Sequence, residues 1–221
     1  MPTLLNRVVR LLAVAVIGFA ADRAADAQEP PPPISRFVVD LHGVVPKFGD
    51  DPQLAASRGL TSDQLPGPGI GFTVGAHLYF AKIAAVTLGI GGELAVGRAH
   101  AASAASADQT SSPVPVTETF TSFAPALSLN FGNGNGWSYL VFGIGQTVWS
   151  IVPDGAQPLP IDEERQKTLN YGGGARWFIK KRLAFSLDVR LYEIAASAPP
   201  PGATGTPRTR LLVIGAGISV R

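Results

Sequence analysis

From Ile70 to Phe80 an apolar side chain falls at every second position: Ile70, Phe72, Val74, Ala76, Leu78 and Phe80 alternate with Gly71, Thr73, Gly75, His77 and Tyr79. A period of two is the signature of an extended strand with one greasy face, because successive side chains point to opposite sides of the backbone. The pattern recurs along the chain. Phe37, Val39, Leu41 and Val45 oppose Arg36, Asp40 and His42, and Val86, Leu88, Ile90, Leu94 and Val96 oppose Thr87, Gly89, Gly91, Glu93, Ala95 and Gly97. Phe123, Pro125, Leu127, Leu129 and Phe131 oppose Ser122, Ala124, Ala126, Ser128 and Asn130, while Leu140, Phe142, Ile144 and Val148 oppose Tyr139, Gly143, Gly145 and Thr147. Leu169, Tyr171, Ala175 and Trp177 oppose Asn170, Gly172, Gly174 and Arg176, and Leu183, Phe185, Leu187, Val189 and Leu191 oppose Ser186, Asp188, Arg190 and Tyr192. The last segment sets Leu212, Ile214, Ala216, Ile218 and Val220 against Gly215, Gly217 and Ser219, which makes eight strands. Pro125 removes a ladder donor and predicts a bulge.

The connections alternate in length. Short turns are expected after strands two, four and six, at Ala81-Lys82, at residues 132–136 and at Lys180-Lys181-Arg182. Long segments follow the odd strands, at 46–68, 98–118, 151–166 and 195–207. That asymmetry is expected of a barrel threaded through a membrane, with short turns on the periplasmic side and long loops outside. Aromatic residues near the short turns (Tyr79, Phe80, Phe131, Trp137, Trp177, Phe178 and Phe185) read as an inner interfacial girdle, with Phe120, Trp149 and Tyr192 as a sparser outer one.

A soluble eight-stranded barrel would alternate too, with its second set facing water. Here that set is glycine, serine, alanine and threonine with a few charges, as suits a narrow lumen rather than a wetted surface. Composition agrees: only 15% of the 221 residues are charged and 25 are glycine. The formal charge of +2 includes Arg7, Arg10 and Arg23 of the N-terminal segment, so the remainder is near neutral and nucleic acid is not an expected partner. The chain has no cysteine, which excludes disulfides, thiolate metal sites and a lipoprotein anchor.

Arg7 and Arg10 precede an apolar run at 11–21, followed by the small pair of Ala25-Asp26-Ala27. The run falls short of the roughly 20 residues needed for a helical span, so it reads as a secretory signal cleaved before Gln28. The expected organisation is a signal peptide at 1–27, a proline-rich periplasmic leader at 28–34 and a barrel at 35–221.

With its best stretch in YGGGARWFIKKRLAFSLDVRLYEI, residues 171–194, the segment from 35 to 221 resembles the OmpA-like and OmpX-like eight-stranded outer-membrane β-barrels. The resemblance implies an all-β, antiparallel, up-and-down transmembrane barrel of a Gram-negative cell envelope. It also implies lipids and lipopolysaccharide around the wall, insertion by the barrel-assembly machinery and an external ligand at the loops. It does not extend to a periplasmic peptidoglycan-binding domain. One departure is the end of the last strand, Val220-Arg221, where such barrels carry an aromatic residue.

The inward-facing ionisable residues are Asp40, His42, His77, Glu93, Arg176, Asp188 and Arg190. An unpaired charge in a narrow lumen is costly, so Asp40, Glu93, Arg176, Asp188 and Arg190 are expected to form a polar network that plugs the barrel. The alternative is a narrow channel for ions or small apolar solutes lined by the same groups. A lipid A-modifying enzyme would need a nucleophile beside a histidine and an acid. None of His42, His77 and His100 is followed by the His-x-Ser pairing of the deacylases. Gly89-Ile90-Gly91-Gly92 and Gly172-Gly173-Gly174 are not phosphate cradles, since no helix is expected after either. Neither a cofactor nor a metal is expected, and the reading is a structural or surface-interaction barrel rather than an enzyme.

Overall fold

The computed structural model describes residues 31–49, 51–101, 114–197 and 205–221. The expected signal peptide, the first three leader residues and most of the 98–118 connection lie outside them. The strands are β1 (Phe37–Lys47), β2 (Ile70–Ile83), β3 (Val86–Ala101), β4 (Val116–Asn133), β5 (Gly136–Pro153), β6 (Arg165–Phe178), β7 (Leu183–Ile194) and β8 (Thr209–Val220). Each pairs antiparallel with the next, and β8 returns to β1 from Val39↔Val220 to Lys47↔Leu212, closing the barrel. Closure satisfies every strand edge, the condition for carrying backbone through hydrocarbon.

The alternation holds along the strands apart from one slip near the end of β2. Phe37, Leu41, Leu78, Phe123, Leu127, Phe142, Ile144, Leu187, Val189 and Ile218 are exposed on the outside, while Asp40, His42, His77, Glu93, Arg176, Asp188 and Arg190 are buried inside. An apolar exterior of this extent has no place in water and fits a bilayer.

Several local expectations are corrected. The turn after β2 is Ala84-Ala85, not Ala81-Lys82: the register with β3 shifts between Tyr79 and Ala81, so β2 bulges at Phe80 and runs on to Ile83. Ala84 takes a positive φ of 52° there, one of the conformations that a two-residue hairpin requires. Pro125 makes no bulge. Phe123↔Gln146 and Ala126↔Gly143 keep one register, so the missing donor leaves a gap in the β4–β5 ladder without an added residue. β3, β4 and β5 reach 16, 18 and 18 residues, longer than the roughly 9–11 that cross a bilayer, and take in much of what reads as loop.

The aromatic assignment is also corrected. Phe80, Phe131, Trp177 and Phe185 do face out, but Tyr79 and Trp137 are buried inside. The expected outer girdle does not exist: Phe120, Trp149 and Tyr192 are 1%, 2% and 0% exposed, all within the lumen. They sit on the inward parity of strands that continue beyond the bilayer, where the lumen, not lipid, offers cover.

The long connections carry their own structure. Residues 46–68 hold the short helix α1 (Pro52–Ala56), capped by the Asp51 side chain, and a 3-10 turn at Ser62–Gln64; a second 3-10 turn, Pro160–Asp162, precedes β6.

Candidate functional site: the filled lumen

The inward residues fill the barrel in three layers. Nearest the short turns, Val38, Tyr79, Ala126, Trp137, Tyr139 and Val141 pack together, with Ile34 of the leader and Phe178 against them. The leader spans the mouth from β1 to the far wall, where Pro32 accepts a 2.6 Å hydrogen bond from the Gly134 N–H of the β4–β5 turn. Trp137 and Phe178 stack with ring centroids 5.0 Å apart, and Tyr79 meets Trp137 edge-on.

The charged layer lies above. Arg176 donates from Nε to Asp40 Oδ1 at 2.9 Å and from Nη2 to Oδ2 at 2.6 Å, a two-pronged grip. Ser219 donates a further bond to Asp40, and His77 Nε2 stands 4.0 Å away. The Arg176 guanidinium also lies 3.9 Å above the centre of the Tyr139 ring, a cation–π contact in a desolvated place. The Tyr139 hydroxyl donates to Asp188 at 2.6 Å, and Asp188 accepts from Arg190 Nε at 2.8 Å. Arg190 reaches Glu93 at 3.1 Å, and Glu93 accepts from the Tyr192 hydroxyl at 2.8 Å. Asp40, Arg176, Asp188, Arg190 and Glu93 thus join into one chain of contacts through Tyr139, although Glu93 pairs with Arg190 and not with Arg176. Three carboxylates face two guanidiniums, and the hydroxyls of Ser219, Tyr139 and Tyr192 supply donors to all three acids.

Glycines of β6 make the fit possible. A Cβ on Gly174 would collide with the Leu187 carbonyl oxygen and stand 2.5 Å from the Tyr139 hydroxyl, and one on Gly172 would collide with the Val189 carbonyl oxygen and stand 2.9 Å from Arg190 Cδ. These glycines allow the close approach of β7 and leave room for two large side chains of the network, Tyr139 and Arg190.

Toward the long loops the lumen turns apolar again. Phe120 packs edge-on against Tyr192 at 5.0 Å and Trp149 at 6.2 Å, and Phe48 adds a further edge to Trp149 at 5.6 Å. Phe48, Leu54, Ala55 and Leu65 of the first loop join Val44, Val116, Ile151, Ile194, Leu211 and Val213 of the strands in one buried cluster. The first loop is therefore a lid. Arg58 fastens it: its Nε donates to Asp162 of the third loop at 2.9 Å and its Nη2 to Thr206 of the fourth at 3.0 Å. Both side chains of the Arg58–Asp162 pair are only 1% exposed, and Asp162 also accepts the Ile151 and Leu159 N–H groups.

Phe48, Leu54 and Arg58 of the lid, Asp162 and Thr206 that hold it, and Glu118, which accepts from Trp149 Nε1 at 2.7 Å, do not stand out in the strand pattern. Asp51-Pro52, an N-cap followed by proline, and Thr61 with Gln64 three residues on are start signals for helical turns and mark this loop as folded.

The three histidines are not one constellation. His42 Nε2 lies 2.7 Å from Ser186 Oγ, but its other nitrogen faces the Thr73 hydroxyl at 3.4 Å rather than a carboxylate, and the pair is buried in the filled lumen. His100 is exposed on the outside of β3, beside Thr117. Among the described residues no carboxylate hydrogen-bonds to His42, the place an orienting acid takes in a Ser-His-acid arrangement.

A closed antiparallel barrel with a lipid-facing wall and a polar, filled interior defines a small transmembrane barrel of the outer membrane. The chain belongs to the outer membrane protein beta-barrel domain family, whose model matches residues 11–219. Among solved structures it is similar to Neisserial surface protein A, at 13% identity and a TM-score of 0.52, over 84% of this chain and 97% of that one. It is also similar to the attachment invasion locus protein Ail of Yersinia pestis in complex with the heparin analogue sucrose octasulfate (14% identity, TM-score 0.49, 83% and 97%). A third is the outer membrane protein OprG of Pseudomonas aeruginosa (10%, 0.48, 86% and 97%). No curated protein sequence matches the chain.

Proposed function

We propose that this barrel is a closed surface platform of the cell envelope, structural or adhesive, that holds its outer loops in a fixed arrangement and neither conducts nor catalyses. The observation that carries this reading is the continuous filling of the lumen, from Ile34 and Trp137 through the Asp40–Arg176 and Glu93–Arg190 pairs to Phe120, Trp149 and the lid. Eight strands leave an interior only wide enough for side chains, and here the side chains occupy it. A plug of this kind costs desolvation of several ions, which is repaid only when each is paired and hydrogen-bonded.

In this reading residues 1–27 are the export signal, the barrel-assembly machinery inserts the chain, and lipids with lipopolysaccharide surround the wall. The ligand-bearing part is the lid and its neighbouring loops, since loops on a rigid scaffold carry recognition. Replacing residues 52–64 by a glycine-serine linker of equal length tests it on whole cells. Adhesion to surfaces coated with extracellular-matrix proteins or glycans should fall while the amount of barrel in the outer membrane is unchanged. Equal adhesion by both strains and by cells without the protein contradicts the surface role.

A further inference from the structure

The two rims of the barrel differ in charge. At the short-turn rim stand Arg36, Lys82, Lys180, Lys181, Arg182 and Arg221, and among the described residues no exposed acid accompanies them; Asp40 and Asp188 lie deeper and are consumed by the lumen network. The opposite rim is mixed. Lys47, Arg98, Arg165, Lys167, Arg208 and Arg210 alternate there with Asp51, Asp154, Glu163, Glu164 and Glu193, and Glu193 pairs with both Arg208 and Arg210.

The bases of the short-turn rim form a continuous arc. The Lys180-Lys181-Arg182 turn is tied to the end of β8 by the Arg221 N–H to the Arg182 carbonyl at 3.1 Å and by Arg221 Nε to the Lys181 carbonyl at 2.6 Å. β8 adjoins β1, which begins after Arg36, and β1 adjoins the β2–β3 hairpin with Lys82. The β4–β5 turn, Gly134-Asn135, carries no charge.

Each part of the arc sits beside a lipid-facing apolar residue. Arg36 precedes Phe37, Lys82 precedes Ile83 and Ile179 precedes the Lys180 turn, with Ile83 and Ile179 63% and 74% exposed. Arg221 instead turns its guanidinium over the Phe178 ring at 3.9 Å and bonds the Gly134 carbonyl, so it ties the turns together and leaves Arg36, Lys82, Lys180, Lys181 and Arg182 as the open bases. Above them Trp177 and Phe185 stack on the outer face with centroids 6.1 Å apart. The bases therefore lie at the edge of the hydrocarbon, at headgroup level. Next to Ile179 and Arg182 they border a concavity of about 710 Å³ lined by Pro32, Pro33, Ser35, Phe178 and Arg221.

We propose that this arc, from β6 through β8 to the β2–β3 hairpin, is a binding surface for anionic glycerophospholipids of the periplasmic leaflet, recognised through their phosphodiester headgroups. Lysine and arginine supply only donors, and a like-charged arc without acids attracts anions, while its placement against apolar wall residues selects an anion that carries acyl chains. A soluble acidic partner would need no such apolar border. The inference requires the short-turn rim to face the periplasm but is independent of whether the lumen conducts.

The test uses the full barrel in phosphatidylcholine nanodiscs containing a minority of phosphatidylglycerol, with spin-labelled phosphatidylglycerol and phosphatidylcholine as probes of the motionally restricted shell. The wild type should prefer phosphatidylglycerol, and the triple change Lys180→Ser, Lys181→Ser, Arg182→Ser should lower that preference by roughly fivefold or more at low salt. The pair Arg208→Ser, Arg210→Ser at the other rim should leave it unchanged. Raising the salt should erase the preference in the wild type itself, which keeps the test valid if the triple variant does not fold. No preference in the wild type, an equal loss in both variants, or capture of a soluble acidic peptide without preference for the anionic lipid overturns the proposal.

Discussion

Arg176 on β6 grips Asp40 on β1 across the lumen, two hydrogen bonds of 2.9 and 2.6 Å between strands separated in the wall by β7 and β8. Such a pair adds little over an apolar replacement of equal volume, yet removing one partner strands a buried charge. Asp40→Ala and Arg176→Ala should each destabilise the barrel by about 3–5 kcal/mol, and the double variant should lose less than the sum. Glu93→Ala should couple in the same way to Arg190→Ala but be nearly additive with Arg176→Ala, because of the two lumen arginines it is Arg190 that contacts Glu93. Urea unfolding in detergent measures all of these. Additivity within both pairs would mean that the network is not one.

Leu187 faces outward midway along β7, whereas Leu183 begins the strand at the short-turn rim. Arginine on the lipid face costs about 2–4 kcal/mol at the midplane and about 0–1 near the interface. Leu187→Arg should therefore impair insertion into lipid vesicles far more than Leu183→Arg. Ser186 is no neutral lumen control, since it is fully buried and bonded to His42. Equal effects at 183 and 187 would contradict the membrane depth assigned to β7.

The lid has its own latch. Arg58→Ala leaves Asp162 without its guanidinium and breaks the bridge to Thr206, so the first loop should open while the strands stay paired. Amide exchange at Leu54 and Ala55 should accelerate by orders of magnitude, with exchange in β1 and β8 unchanged, because loop opening is a local event. Unaltered protection at Leu54 would show that the apolar cluster alone holds the lid.

The mature protein should begin at Gln28, after the Ala25-Asp26-Ala27 site. N-terminal sequencing of protein recovered from the outer membrane gives the answer. A start at Met1 in that fraction would contradict export by a cleaved signal.

The strands were legible because a wall between lipid and lumen imposes a period of two on every residue, as from Ile70 to Tyr79. The inward set followed from that parity, so Asp40, Glu93, Arg176, Asp188 and Arg190 could be named before their partners were known. Which acid meets which base could not, since pairing depends on stagger around the barrel and on the Tyr139 ring that seats Arg176. Phe120 and Trp149 obey the inward parity of β4 and β5, but their nearness to a loop points equally to an interface, and only the 18-residue length of both strands decides for the lumen. The Phe80 bulge and the Arg58 latch were illegible for a different reason. A one-residue slip leaves no compositional mark, and a contact between three loops is written in no local pattern.

Whether the lumen is closed is decided by single-channel recording of the purified full-length barrel in a planar bilayer. The wild type should show no steady open level, with brief, irregular steps at most. Disrupting both the lid and the charged layer, by Arg58→Ala together with Asp40→Ala and Arg176→Ala, should be needed to bring steady conductance. A stable, ohmic open state in the wild type would contradict the plug and replace it with a water-filled pore.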